Sequence, residues 1–231
     1  MQAVLAILAA VSTVSAHATW QEFWVGTEDQ AGTCVRTVQD NSPIVSVTDA
    51  TMACGRGPKA TTGVCTAAAG SPVSVEMHQQ PGQRDCGTEA LGGNHYGPVY
   101  VYMAKVDDAT TADGASASFF KVAEDTYNGT DASWGTEILN ANCGKRTFTI
   151  PSDIAAGDYL VRSEAIALHA GAGNEQPYVS CFQLKVTGGG SAIPEGVKFP
   201  GAYSPTDALF QTSIYDSNFK FTDVGPAVYT G

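Results

Sequence analysis

Apolar and polar residues alternate over short spans, and the chain reads as a series of strands. Residues 20–25 form a first candidate, rich in aromatics, and residues 44–47 a second. Val73, Val75 and Met77 alternate with Ser74, Glu76 and His78, the period of two expected of a half-buried strand with His78 on its polar face. Residues 99–106 are apolar on both parities, which predicts a strand covered on both sides. Further strands are expected at 119–123, 146–150, 159–168 and 178–186. Helical periodicity is nowhere sustained, and residues 79–93 are a polar, glycine-rich loop. Short strands separated by Gly, Pro and Asp clusters predict an all-β chain, an immunoglobulin- or fibronectin-like β-sandwich with long loops. Gly188-Gly189-Gly190-Ser191 has the composition of a linker, but too little chain follows for a second domain. Residues 194–231 are therefore expected to wrap back over the sandwich as an irregular segment.

The chain begins with an apolar run over residues 3–14, too short to span a bilayer. Val14-Ser15-Ala16 fits the small-residue cleavage rule, so residues 1–16 are expected to be a signal peptide and 17–231 a single secreted domain. Ala16-His17-Ala18 fits the same rule and would remove the histidine. No later segment is long and apolar enough to be expected in a membrane. Six cysteines in a secreted chain predict three disulfides, with the pairing left open. Asn128-Gly129-Thr130 is an N-glycosylation acceptor and should lie on a surface loop. Lys and Arg number 12 against 23 Asp and Glu, a net charge of −11 carried wholly outside residues 1–16. Such a chain is poorly suited to phosphate backbones and anionic membranes. Neutral polysaccharide, small molecules and other proteins remain as partners.

Only four histidines are present: His17, His78, His95 and His169. If cleavage falls after Ala16, His17 carries a free α-amine. The amine and ring Nδ1 then close a chelate ring on one metal ion, and binding the second nitrogen costs little extra entropy. His95 lies in Asn94-His95-Tyr96-Gly97-Pro98, where a glycine-rich loop meets the most apolar strand. His169 closes one expected strand, and Gln176 and Tyr178 open the next. Each residue alone has a plainer reading. A loop histidine is usually solvated, a strand tyrosine usually belongs to the core, and His78 is expected to be structural or simply exposed.

Taken together, the ordered motifs resemble the fungal lytic polysaccharide monooxygenases of Auxiliary Activity family 9. The resemblance covers residues 17–231 and rests on five stretches. They are the histidine at the cleavage site; His95-Tyr96-Gly97-Pro98; Ala167-Leu168-His169 followed by Gln176-Pro177-Tyr178-Val179-Ser180-Cys181; Lys198-Phe199-Pro200-Gly201-Ala202-Tyr203; and Gly225-Pro226-Ala227-Val228-Tyr229. Small residues usually precede that glutamine, whereas Asn174 and Glu175 stand here.

The resemblance implies one copper ion held by the His17 amine and Nδ1 and by Nε2 of His95, a nitrogen-rich set that suits copper(II). Tyr178 is implied as the axial group, and His169 and Gln176 as hydrogen-bond donors beside the metal. The implied chemistry hydroxylates a carbon of the glycosidic linkage in cellulose or a related β-1,4-glucan. It uses O2 or H2O2 and an external electron donor such as a small phenol or a redox protein, leans towards C1, and needs only a monomer. Tyr203 is the candidate for stacking on sugar rings, with packing of the C-terminal wrap as its other reading. The family pattern also implies a Cys54–Cys181 bridge. For the other four cysteines the expectation is Cys34–Cys65 and Cys86–Cys143, which no residue-level argument selects. Two other functions stay open: a noncatalytic carbohydrate-binding sandwich, and a secreted copper-binding protein without oxygenase activity. A hydrolase is disfavoured, since no carboxylate pair stands out near His95 or His169.

Overall fold

The structure is a computed structural model that describes residues 17–231; the expected signal peptide lies outside the described residues. In chain order its strands are β1 (Thr19–Val25), β2 (Glu28–Asp29), β3 (Cys65–Ala68), β4 (Pro72–His78), β5 (Val99–Val106), β6 (Phe120–Asp125), β7 (Lys145–Thr149), β8 (Gly157–Ala167) and β9 (Gln176–Thr187). Two short helices, α1 (Gly135–Ala141) and α2 (Ala208–Gln211), interrupt the pattern. The strands form two sheets, ordered β2-β1-β4-β7 and β3-β9-β8-β5-β6, as expected of a sandwich. All pairings between these strands are antiparallel except β3 with β9.

Two apolar layers hold the fold. Phe23, Val73, Val75 and Met77 from the first sheet meet Val101, Met103, Val161 and Phe182 from the second, with Phe23 and Phe182 ring centroids 5.5 Å apart. The outer face of the five-stranded sheet is equally dry. Tyr100, Tyr102, Leu160 and Ile166 pack there against Phe199, Tyr203, Leu209, Phe210 and Val224 of the C-terminal segment. This second layer explains why β5 is apolar on both parities. The glycine run at 188–190 closes into the fold, since Gly190 and Ala192 bridge Ala155 and Ile154.

Four sequence expectations are corrected. Residues 44–47 are not a strand: Ile44 and Val47 are buried but Val45 is 81% exposed, and the segment bends after one hydrogen bond from Ile44 N to Pro177 O. β3 was not expected; it is rich in small residues and gains its place by parallel pairing with β9. Helix α1 is too short to show a helical period. The polar face of β4 is not solvated, because Ser74, Glu76 and His78 are all buried.

The covered side of β4 is an ionic cluster. Glu76 accepts from Trp24 Nε1 (2.6 Å), Arg84 Nε (2.8 Å) and Arg84 Nη2 (2.9 Å), and pairs with His78 Nε2 (2.8 Å). Burial opposes the Glu76 charge, but hydrogen bonds from His78, Arg84 and Trp24 prevail and hold its carboxyl down to about 2, from an ordinary 4.5. The cluster's contribution is therefore complete above the unfolded value and is lost as pH falls through the folded one. We expect Glu76→Gln to cost on the order of 3 kcal/mol at neutral pH. Urea unfolding should show the gap to wild type closing between about pH 5 and pH 2; a constant gap would contradict the assignment.

Candidate metal centre

Strand register gathers the expected site residues. Val99 of β5 pairs with Ala165 of β8, and the pairing runs on past the strands: Ile166 N donates to Pro98 O (3.0 Å) and Leu168 N to Tyr96 O (2.8 Å). One step further, His95 stands across from His169, with ring centroids 4.0 Å apart. Gly97 permits this approach, because a Cβ there would lie 1.7 Å from Ile166 O. β9 brings two more groups. Gln176 pairs with Ala167 and Tyr178 with Ala165, and the period of two puts both side chains on one face of the strand. The Tyr178 hydroxyl donates to Gln176 Oε1 (3.4 Å), and its ring lies edge-on to His95 at 6.3 Å.

His17 arrives from the other sheet. It lies two residues before the start of β1, and Trp20 ties that strand across the sandwich by donating from Nε1 to Tyr178 O (3.0 Å). His17 is exposed, and it stands close enough to His95 for its charge to act there. His95, His169, Gln176 and Tyr178 thus gather at one end of the sandwich, with His17 within electrostatic reach of His95.

Burial governs the chemistry of this cluster. His95 is 3% exposed, and desolvation, with the neighbouring charges of His169 and His17, pulls its imidazole down to about 4. The backbone of Gly92 and Gly93 offsets this in part, although His95 Nδ1 meets no partner in good hydrogen-bond geometry. The ring is neutral at ordinary pH and has a lone pair to offer. Burial lowers His169 in the same direction and pushes the Tyr178 phenol well up, so Tyr178 stays a neutral hydroxyl.

These residues fit copper. Among the described residues, no three His, Cys, Asp or Glu side chains gather to hold a metal ion. The donors on hand are the imidazoles of His17 and His95, and cleavage before His17 would add the amine that the family resemblance implies. An all-nitrogen set with a neutral hydroxyl nearby suits copper(II) better than calcium or magnesium, which require oxygen. The buried, unpartnered Nδ1 atoms of His95 and His169 indicate rings oriented by packing rather than by hydrogen bonds among themselves.

Tyr203 is corrected. It is 3% exposed, its hydroxyl donates to Glu164 Oε2 (2.7 Å) and is 2.7 Å from the Tyr102 hydroxyl, and it packs on Phe199 and Phe210. A ring in that position cannot meet a sugar. The aromatic that does face solvent is Tyr215, 65% exposed and within electrostatic reach of Tyr96 beside His95. Its setting, Ser213-Ile214-Tyr215-Asp216-Ser217-Asn218, is polar, whereas Tyr203 follows the apolar stretch from Phe199; that contrast was the available signal. His78 lies in the Glu76 cluster on β4. Asn128 is exposed in a bend, as expected of a glycosylation acceptor. The cysteines join as Cys34–Cys65, Cys54–Cys181 and Cys86–Cys143, the expected pairs, with Cα separations of 5.5, 5.0 and 4.9 Å.

Comparison with known proteins points the same way. The sequence model of Auxiliary Activity family 9, formerly GH61, matches residues 17–222. A lytic polysaccharide monooxygenase of that family from Trametes coccinea is 52% identical over 221 residues, covering 94% of this chain and 80% of that protein. Its counterpart from Botryotinia fuckeliana is 53% identical, covering 97% and 96%. Among solved structures, a cellulose-active polysaccharide monooxygenase from M. thermophila superposes with a TM-score of 0.79 at 27% identity, covering 92% of this chain and 99% of that one.

Proposed function

We propose, from the premise that this chain belongs to Auxiliary Activity family 9 and is a lytic polysaccharide monooxygenase, that it cleaves cellulose or a related β-1,4-glucan by oxidation at C1. Enzymes of this family are copper-dependent and cleave polysaccharide oxidatively. The observation that carries the assignment to particular residues is the convergence of His17, a neutral His95 and Tyr178. Cellulose is favoured by the similarity to the cellulose-active polysaccharide monooxygenase from M. thermophila.

The proposed division of labour joins the roles that the family resemblance implies to the positions of these side chains. After cleavage before His17, its amine and Nδ1 would hold the metal together with His95 Nε2. When bound, copper supplies one-electron chemistry, drawing on O2 or H2O2 and an external reductant to hydroxylate a C–H bond of the linkage. Tyr178 would stand beside the metal as a neutral hydroxyl, since burial opposes its ionisation. Gln176 holds that hydroxyl from the side. His169, neutral and tilted against His95, offers one ring proton as a hydrogen bond at the edge of the site. Trp20 fixes β1, and hence His17, relative to Tyr178. Tyr215 offers a flat ring for a sugar. The chain is proposed to be secreted, with a small phenol or a redox protein as electron donor.

The test is incubation of the mature protein with cellulose, copper and a small reductant, followed by chromatography of the soluble products. Aldonic-acid ends are expected, absent with His95→Ala; ketosugar ends would place the oxidation at C4. Tyr215→Ala is expected to weaken binding to cellulose roughly tenfold, the loss of one exposed aromatic anchor, while leaving copper affinity unchanged. Unaltered binding would exclude Tyr215 from the contact face.

A further inference from the structure

The segment that carries His95 is gripped at two points by one face of α1. Asn140 acts as a backbone mimic: Leu91 N donates to its Oδ1 (2.9 Å), and its Nδ2 donates to Leu91 O (3.1 Å). One turn earlier, Thr136 does the same for Gly97. Gly97 N donates to Thr136 Oγ1 (3.1 Å), and Thr136 N donates to Gly97 O (3.0 Å). Residues i and i+4 share a helix face, so the two grips are adjacent. Four hydrogen bonds therefore bracket residues 92–96. Within the bracket, Asn94 takes a left-handed backbone (φ 57°) and Gly93 N donates to Glu89 Oε2 (3.1 Å).

The helix is itself fixed to the frame. A Cβ at Gly135 would lie 2.3 Å from Asp125 O and 2.6 Å from Val99 N, so the helix start is pressed onto β5 and β6. Just beyond its end, Cys143 is bridged to Cys86. Thr136 is fully buried, and no solvent competes for its hydroxyl. The backbone groups that act on the His95 ring, those of Gly92 and Gly93, lie inside the bracketed segment.

On the reading that His95 binds the metal, we propose that Thr136 and Asn140 are positioning residues, which set the His95 imidazole against His17 and His169 by bracketing the loop that carries it. Neither residue is among the groups proposed to hold the metal or to meet the sugar. Their effect is transmitted through the backbone of residues 91–97, and it alters where Nε2 points rather than whether the sandwich folds.

The test uses the mature chain and three measurements: copper(II) affinity by titration, the copper(II) electron paramagnetic resonance spectrum, and the His95 ring signals of the metal-free protein by nuclear magnetic resonance. Asn140→Leu removes both bonds to Leu91. Thr136→Val keeps the shape but removes the acceptor for Gly97 N, and Thr136→Ser keeps that acceptor. Asn140→Leu and Thr136→Val are expected to shift the His95 signals, change the hyperfine pattern and weaken copper binding 10- to 100-fold, the usual range for groups that orient a ligand. Thr136→Ser should restore wild-type behaviour. Lower melting temperatures with unchanged affinity, spectrum and ring signals would overturn the proposal and leave a purely structural role. If Asn140→Leu does not fold, the Thr136 pair decides alone. His95→Ala separates the two readings. If it binds copper as tightly as wild type, the ligand assignment fails and the proposal falls with it. If it loses copper while the α1 variants keep native properties, only the bracket is wrong.

Discussion

One extra alanine before His17 is expected to lower copper(II) affinity by several orders of magnitude and to abolish release of oxidised oligosaccharides from cellulose. The core is untouched, since β1 begins at Thr19 and its anchor is Trp20, so the fold and three disulfides should survive. Both imidazoles remain. What changes is one nitrogen: an amine with a reference pKa of about 8 yields its proton to a metal, whereas an amide nitrogen has no free lone pair at neutral pH. The chelate ring is lost with it. Titration calorimetry and product chromatography check the outcome, and native affinity in the extended chain would refute the proposed amine ligand. His78→Ala makes an informative companion. Because His78 is buried against Glu76, its removal should lower stability and leave copper affinity alone.

Replacing Cys54 and Cys181 together by alanine is expected to be the most destabilising loss of a disulfide. The bridge spans 127 residues, against 57 for Cys86–Cys143 and 31 for Cys34–Cys65. By loop-closure entropy it contributes about 5 kcal/mol, roughly 1 kcal/mol more than the shortest. In a chain of this size that corresponds to a melting temperature lower by about 10–20 °C. The bridge also holds residues around Cys54 on the sheet at Cys181, three residues along β9 from Tyr178 and paired with Arg162 of β8, whose Nε donates to Met52 O (2.9 Å). Calorimetric melting of the three double variants gives the ranking, and a larger loss from the Cys34–Cys65 pair would argue that strain or local packing outweighs chain entropy.

Much of this was legible in the sequence because it depends on local pattern. β5 and β9 follow from apolar runs, and the His-x-Gly-Pro and Gln-x-Tyr motifs sit at strand ends where register carries them together. What escaped depends on what covers a surface. Glu76 and His78 alternate like solvent-facing residues, but Arg84 comes back from a loop to cover them. Tyr203 looks like any aromatic in a glycine- and proline-rich segment until Glu164 and Tyr102 supply partners for its hydroxyl. Thr136 and Asn140 had no signal at all, because their meaning lies in the backbone they hold, not in their neighbours along the chain.

The bond from Trp20 to Tyr178 joins residues 158 apart in the sequence. Chains emerge from the ribosome N-terminus first, at about 5–20 residues per second. β1 is therefore made before β4, with which it pairs, and long before β9, to which Trp20 is tied. For several seconds of synthesis the stretch around His17 has no native partner and stays open to a protease. On the proposal that the chain is cut before His17, the order of manufacture leaves time for that cut before the sandwich closes around it.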